Sequence, residues 1–338
     1  MKAKYRNIFI ILGLVAIVIM LLTFHMDYKE LWANIRRAGY WFIGVVGIWV
    51  VIYFFNTVSW YFIIRNGQRS CPVHFWYVYK LSVSGFALNY ATPFGMMGGE
   101  PYRVMELTPF LGASRATSCV ILYVMMHIFS HLCFWFSSIF LFIALYHVTL
   151  PLGILFIIIG SFCLVCIYFF MKGYRNGMVV KTFKILQHIP FAKKWATRFY
   201  TEKRKSLETI DCQIAELHSQ RKSTFYMSFL FEFCARILTS VEIFFIMKIL
   251  MPDVNFFNCV LIMAFTSLFS NLFFFSPMQL GAREGGFALV VSALSLSGAV
   301  GVYTSLITRV RELIWISIGV ALMKIGNNKK QKDEVPKT

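Results

Sequence analysis

Long apolar runs recur along the whole chain, and no other feature of the sequence constrains the fold as strongly. A helix that crosses a lipid bilayer needs about 20 consecutive apolar residues. Charged residues make up only 14% of the chain, whereas soluble domains carry about 25%. The sequence therefore excludes a soluble domain, a disordered chain and a secreted disulfide scaffold, and it predicts an all-α polytopic membrane protein. The runs are Ile8–Phe24, Trp41–Ile64, Val73–Met97, Thr117–Tyr146, Leu152–Met171, Thr224–Leu250, Phe256–Ser276 and Phe287–Met323.

The placement of Lys and Arg predicts which side of the membrane each end faces. Three basic residues precede Ile8–Phe24, which has no small-residue cleavage site after it and is interpreted as an uncleaved first crossing. The run Phe287–Met323 is too long for one crossing and is predicted to divide at Ser297–Ala299. With Val73–Met97 counted as re-entrant, about eight transmembrane helices remain, so both termini are predicted to be cytoplasmic. The net charge of +18 then follows membrane topology and does not indicate nucleic-acid binding.

A strongly basic segment separates two halves of one integral membrane domain. Residues 172–222 contain twelve Lys or Arg against four Asp or Glu. Within them Leu207, Ile210, Ile214 and Leu217 form one apolar stripe at helical spacing. Such a stripe is typical of a helix packed under the membrane domain or lying in the headgroup layer, and docking of a partner is the alternative. The predicted domain, 1–338, comprises a first half at 1–171, a cytoplasmic connector at 172–223, a second half at 224–323 and a basic tail at 324–338.

Two matched interruptions, one in each half, break the apolar pattern. They lie at 89–103 and 271–286, and each has an Asn, then a helix-breaking Pro, glycines, and an adjacent acid and base. Lipid cannot satisfy the backbone groups that such a break frees, so each segment is predicted to be a re-entrant or broken helix facing protein or a wet cavity. Gly/Pro-interrupted segments at corresponding places in two halves indicate a transporter site, and the halves could form an inverted repeat.

The residue types at these interruptions suit an anionic headgroup. Free N–H groups at a helix break attract anions, and glycines let a ligand approach the backbone. Arg103 and Arg283 would add the forked contact that fits phosphate, while Glu100 and Glu284 could balance them or carry a proton. The alternative is that both turns lie at the membrane interface with solvated charges. The predicted headgroup site comprises Asn89, Pro93, Gly98, Gly99, Glu100, Arg103, Asn271, Pro277, Gly281, Arg283, Glu284 and Arg309, with no catalytic residue, metal ligand or cofactor.

Further polar pairs lie at helical spacing inside the apolar runs. An acid and a base one turn apart in a crossing usually neutralise each other inside the bundle, and the alternative is a polar lining for a lipid path or a headgroup contact. A pair of histidines one turn apart favours interhelical hydrogen bonding, with a proton relay as the alternative. The pairs are Glu232 with Arg236, Arg309 with Glu312, and His127 with His131.

Both interruptions carry recognisable sequence blocks, which are Gly98–Arg103 followed by Leu107 and Gly112, and Pro277, Gly281 and Arg283–Gly285. Together they resemble the flippase-like membrane domain of lysylphosphatidylglycerol synthases, which archaeal and bacterial stand-alone relatives share. The resemblance covers essentially the whole chain and implies a domain that binds lipids and moves them, or lipid-linked molecules, between leaflets. The synthases continue into a cytosolic aminoacyl-transferase domain, whereas this chain ends at Thr338. Synthase activity is therefore not expected.

The sequence leads to one favoured function and two alternatives. The favoured one is a non-enzymatic translocase in a bacterial or archaeal inner membrane, whose partner is an anionic phospholipid or a polyprenyl-phosphate-linked glycan. The first alternative is a membrane-embedded transferase that acts on a polyprenyl phosphate or a phospholipid, with Glu100 and Glu284 as a base or metal ligands. The second is an ion-coupled carrier of a small soluble anion. Homo-oligomerisation is left open.

Overall fold

A computed structural model defines the architecture of the chain. It describes residues 38–65, 73–91, 98–176, 179–188, 193–220, 222–251, 253–273, 281–294 and 296–324, together with Ile11 and Arg36. All regular secondary structure within these ranges is helical, which confirms the predicted all-α fold. The predicted first crossing, apart from Ile11, and the basic tail after Lys324 lie outside the described residues.

Most of the predicted apolar runs correspond to helices of nearly the same extent. The long final run is divided as predicted, because one helix ends at Ala293 and the next begins at Gly298. The helices are α1 Tyr40–Arg65, α2 Phe75–Ala91, α3 Gly99–Leu111, α4 Ala113–Leu145, α5 Leu150–Asn176, α6 Val179–Leu186, α7 Lys193–Gln220, α8 Lys222–Leu250, α9 Phe256–Leu272, α10 Ala282–Ala293 and α11 Gly298–Lys324.

The long helices fall into two kinds. In the described part of the chain, α1, α4 and α5 are long and apolar enough to cross a bilayer, with mean hydropathies of 1.9, 2.0 and 2.8. The 29-residue α8 and the 27-residue α11 are as long, but they carry buried arginines and glutamates. Charges at that depth face a bundle interior rather than lipid. The chain is thus an integral membrane protein with a polar interior.

The order of helices repeats in the two halves. In each half a long helix is followed by one of 17 residues, one of 12 or 13 residues, and another long helix, as in α1–α4 and α8–α11. The packing follows the same scheme, because α1 lies along α8 while α2 packs on α11 and α9 packs on α4. This arrangement supports the predicted internal repeat. Helices α5 and α7 lie outside it and pack on α4, with Leu207 and Ile210 of the predicted stripe buried.

The first interruption is flanked by a tight antiparallel hairpin of α2 and α3. Side chains meet in reversed order along it, with Asn89 at Gly99 and Tyr77 at Glu106. A Cβ at Gly99 would lie 2.1 Å from the carbonyl oxygen of Gly85, so the two backbones touch. Helices of 17 and 13 residues are shorter than the roughly 20 needed to cross, which fits the predicted re-entrant segment.

The second half makes equally close helix contacts. A Cβ at Gly301 of α11 would lie 2.6 Å from the carbonyl oxygen of Phe287 in α10. A Cβ at Gly319 would lie 2.4 Å from Ala87 on α2, and the Ser84 hydroxyl donates to the Gly319 carbonyl at 3.0 Å. Small residues allow such close approach in membranes, where apolar burial alone does not drive helices together. The α2–α11 contact joins the two halves directly.

Candidate functional site

A polar cavity of about 160 Å³ lies between the two halves, lined by side chains from α1, α2, α4, α8, α9, α10 and α11. A single water molecule needs about 10–15 Å³ on the same measure, so the cavity can hold a hydrated polar group. Its charged lining residues comprise four arginines and two glutamates, which are Arg236, Arg283, Arg309, Arg311, Glu242 and Glu312.

The two interruptions approach this cavity from opposite halves. Asn89, near the end of α2, and Asn271, near the end of α9, occupy equivalent places in the repeat and both line the cavity. Arg283 and Arg309 line it as well. Four of the predicted headgroup residues thus line one cavity. The sequence suggested that the two interruptions correspond, because their residue patterns are similar.

Asn89 connects the cavity to the first interruption. Its side-chain oxygen accepts the backbone N–H of Gly99 at 2.6 Å, and its amide nitrogen donates to Glu100 at 3.0 Å. Both contacts tie the end of α2 to the start of α3. Gly98 precedes α3 as its N-cap residue, while Pro93 and the rest of 92–97 lie outside the described residues.

Arg103, for which a headgroup role is predicted, is not among the described residues that line the cavity. Its side chain is 1% exposed and donates to Glu100 at 3.4 Å and to the Ser82 carbonyl at 3.3 Å. Its guanidinium lies 4.8–5.4 Å from the ring centres of Phe86, Tyr123 and Trp60. Because Gly85 has no side chain, the Arg103 guanidinium can occupy the space next to it. Arg103 therefore stabilises the α2–α3 hairpin.

The second interruption leads into a capped helix start. Gly281 has φ +76°, a conformation that favours glycine, and its N–H donates to Glu284 at 2.8 Å. The other oxygen of Glu284 accepts from Arg309 and from the Ser305 hydroxyl, each at 3.2 Å. Glu284 thereby orients an arginine of the cavity wall. Pro277 lies outside the described residues.

An ion-pair network on α8, α10 and α11 forms one wall of the cavity. Arg311 holds Glu242 through two hydrogen bonds of 2.7 and 3.1 Å. Glu312 pairs with Arg283 and, at 3.4 Å, with Arg309, as the predicted shared helix face required. Buried charges are tolerated only when they are paired in this way, so the network fixes the wall as a rigid unit.

A second polar cluster borders the cavity where α4 meets α8. Glu232 accepts from His127 Nδ1 at 2.9 Å, whereas its Arg236 contact is 4.0 Å long. Arg236 donates to Nε2 of the same His127 ring at 2.5 Å, and the His131 ring packs against His127. The sequence predicts the pairing within α8 but not the third partner from α4, because residue spacing carries no information about a contact between distant helices.

Hydroxyl groups on α9 complete the lining. Thr266 and Ser270 are 3% and 4% exposed, one helical turn apart, and neither hydroxyl has a hydrogen-bond partner. Ser and Thr inside a helix commonly bond back to a carbonyl one turn earlier, as Thr117 does. Buried hydroxyls without a partner call for an explanation, and a ligand in the cavity that these residues line would supply one. Sequence analysis missed them because Ser and Thr are common in apolar helices.

The residues that the structure describes include no group of three or more His, Cys, Asp or Glu placed to hold a metal ion. The cavity is lined by paired charges and by hydroxyl-bearing side chains. Such a lining suits recognition of a polar headgroup by hydrogen bonds and ion pairs.

One comparison with known proteins gives a match. The family described as the lysylphosphatidylglycerol synthase TM region matches residues 9–319, nearly the whole chain. No curated protein and no solved structure matches the chain.

Proposed function

Because this chain belongs to the lysylphosphatidylglycerol synthase TM-region family, we propose that it binds the headgroup of a membrane lipid in the central cavity and carries that lipid between leaflets. The family is named for the membrane region of synthases whose product is a lipid, which gives the chain a lipid-related membrane function. Translocation without chemical change is the step that we add, together with a location in a bacterial or archaeal inner membrane with cytoplasmic termini.

The observation that carries the proposal is the convergence of both interruptions on one charged cavity. Asn89 reaches it from the first half, and Asn271 and Arg283 reach it from the second. Transporters commonly place their substrate site between two repeats, at helices that are broken there. A cavity with charged and hydroxyl-bearing side chains in its lining would hold a headgroup, while the acyl or prenyl tails remain in lipid.

The repeat also supplies a route to alternating access. The halves meet where α1 lies along α8 and where α2 crosses α11 at Gly319. Each half is braced internally, the first by the Gly85–Gly99 contact and the second by the Gly301–Phe287 contact. Rocking of one braced half against the other would expose the cavity to either side in turn.

Leaflet exchange of labelled phospholipid in vesicles that contain the full chain tests the proposal. We expect exchange well above the rate of protein-free vesicles, and about a tenfold loss in Arg283→Gln, since one charge-assisted contact to a phosphate disappears. The control is Arg198→Gln on the exposed face of α7, where Arg198 pairs with Glu202 at 3.0 Å. Its exchange rate should equal that of the unsubstituted protein.

Three other results would contradict the proposal. Exchange no faster than in empty vesicles would exclude translocation. Recovered lipid of altered mass would favour the transferase. Efficient competition by soluble glycerol 3-phosphate, with no lipid exchange, would favour the carrier of small anions.

A further inference from the structure

We propose that the cavity selects a net-anionic, hydroxyl-bearing headgroup, such as a polyol or sugar phosphodiester, and disfavours one that carries a free ammonium group. This inference rests on the proposed function for its lipid but makes a separate claim about headgroup chemistry. It is also distinct from the family name, because lysylphosphatidylglycerol carries an ammonium-bearing lysyl group.

The first argument is that the carboxylates of the cavity wall are already occupied. Both oxygens of Glu242 are held by Arg311. Glu312 gives one oxygen to Arg283 and the other to Arg309. Among the described lining residues, an ammonium group would find no unpaired carboxylate and would face four arginines. Glu100 does have one oxygen without a partner, but it is not among the lining residues.

The second argument is that one cation of the lining lacks a close carboxylate. Arg236 lies 4.0 Å from Glu232, beyond hydrogen-bond length, while the other three lining arginines each hold a carboxylate at 3.4 Å or less. The Nε–H of Arg236 is buried without a hydrogen-bond partner. An unsatisfied buried donor on a charged group is costly unless a ligand completes it. A phosphate in the cavity would do so.

The third argument concerns the hydroxyls of α9. Thr266 and Ser270 line the cavity, and their hydroxyl oxygens are buried without partners. A hydroxyl can both donate and accept, so these groups match a headgroup that is itself rich in hydroxyls. Phosphate recognition would then come from Arg236 on α8, and polyol recognition from the hydroxyl pair on the neighbouring α9.

Displacement of a fluorescent phosphatidylglycerol from the full chain in nanodiscs tests the charge preference. We expect phosphatidylglycerol to compete about tenfold better than lysylphosphatidylglycerol. Arg236→Gln should weaken phosphatidylglycerol binding by roughly tenfold, because it removes one charge-assisted contact to the phosphate. Arg236→Lys should retain most of the preference.

Phosphatidylmethanol, an anionic phosphodiester without headgroup hydroxyls, tests the second half of the proposal. It should compete about threefold worse than phosphatidylglycerol, and the difference should vanish in the double variant Thr266→Val with Ser270→Ala. The matched control is Ser240→Ala on α8, since that hydroxyl is also buried without a partner but is not part of the lining. A short-chain polyprenyl phosphosugar and soluble glycerol 3-phosphate distinguish a lipid-linked sugar or a free phosphate from a phospholipid as the source of the headgroup.

The outcomes separate this inference from the proposed function. Equal or stronger competition by lysylphosphatidylglycerol, or no lipid binding at all, would overturn the inference. Exchange of lipids without charge preference would leave the translocase standing and remove the selectivity. Selective binding without any leaflet exchange would support the headgroup selectivity and contradict the proposed translocase.

Discussion

Glu242→Gln should lower the free energy of unfolding by about 3 kcal/mol, because it removes the closest carboxylate of the buried Arg311 and leaves the longer 3.8 Å contact with Glu312. Glu242 and Arg311 are each 2% exposed or less and are joined by two hydrogen bonds. The guanidinium also lies 3.9 Å from the centre of the Trp49 ring. Unfolding by SDS titration in mixed micelles measures the change.

Two further variants make the ion-pair prediction specific. Replacing both partners, as in Glu242→Met with Arg311→Met, should recover most of the lost stability, because two apolar side chains of similar size need no compensation. Glu208→Gln removes an equally short pair, Arg204 with Glu208 at 2.8 Å, but on an exposed face of α7, where ion pairs contribute little. A similar loss in both single variants would show that burial does not determine the effect.

Gly99→Ala should destabilise the protein by about 1–3 kcal/mol, the usual range for forcing atoms into a packed interior. The new Cβ would meet the Gly85 carbonyl at 2.1 Å, and backbone atoms cannot rotate out of the way. The start of α3 must then move away from α2, which would weaken the hydrogen bond from the N–H of residue 99 to Asn89. We therefore expect lipid exchange to fall together with the melting temperature.

A glycine in open space provides the control. A Cβ at Gly47 of α1 meets no atom within 4 Å, and alanine is the better helix former by about 1 kcal/mol. Gly47→Ala should keep or slightly raise the melting temperature and leave exchange unchanged. Equal losses in the two variants would mean that the α2–α3 contact is not the cause.

The helices and their limits could be predicted because each depends on local sequence. The break between α10 and α11 lies next to the predicted division at Ser297–Ala299, and the apolar runs set the extents of α1, α4 and α5. The average hydropathy over a stretch of about 20 residues is enough to locate such helices. The predicted match between the two interruptions also proved informative, because Asn89 and Asn271 line one cavity.

The roles of individual charges could not be predicted in the same way. Arg103 and Arg283 look equivalent in sequence, yet the first is enclosed by aromatic rings and the second lines the cavity. The difference depends on Gly85, which leaves room for Arg103 only once α2 and α3 are packed. Similarly, the partner of Arg311 is Glu242, 69 residues earlier in the chain.

The sequence by itself determined that this protein is a helical membrane protein, where most helices begin and end, and that its halves carry corresponding interruptions. Hydropathy and helix-breaking residues act within a few helical turns, so their effects can be predicted from the local sequence. Only the tertiary structure decided which charges neutralise one another, which hydroxyls remain without partners, and that both interruptions border a single cavity. Those properties depend on distances between atoms of different helices, and helix packing alone sets such distances.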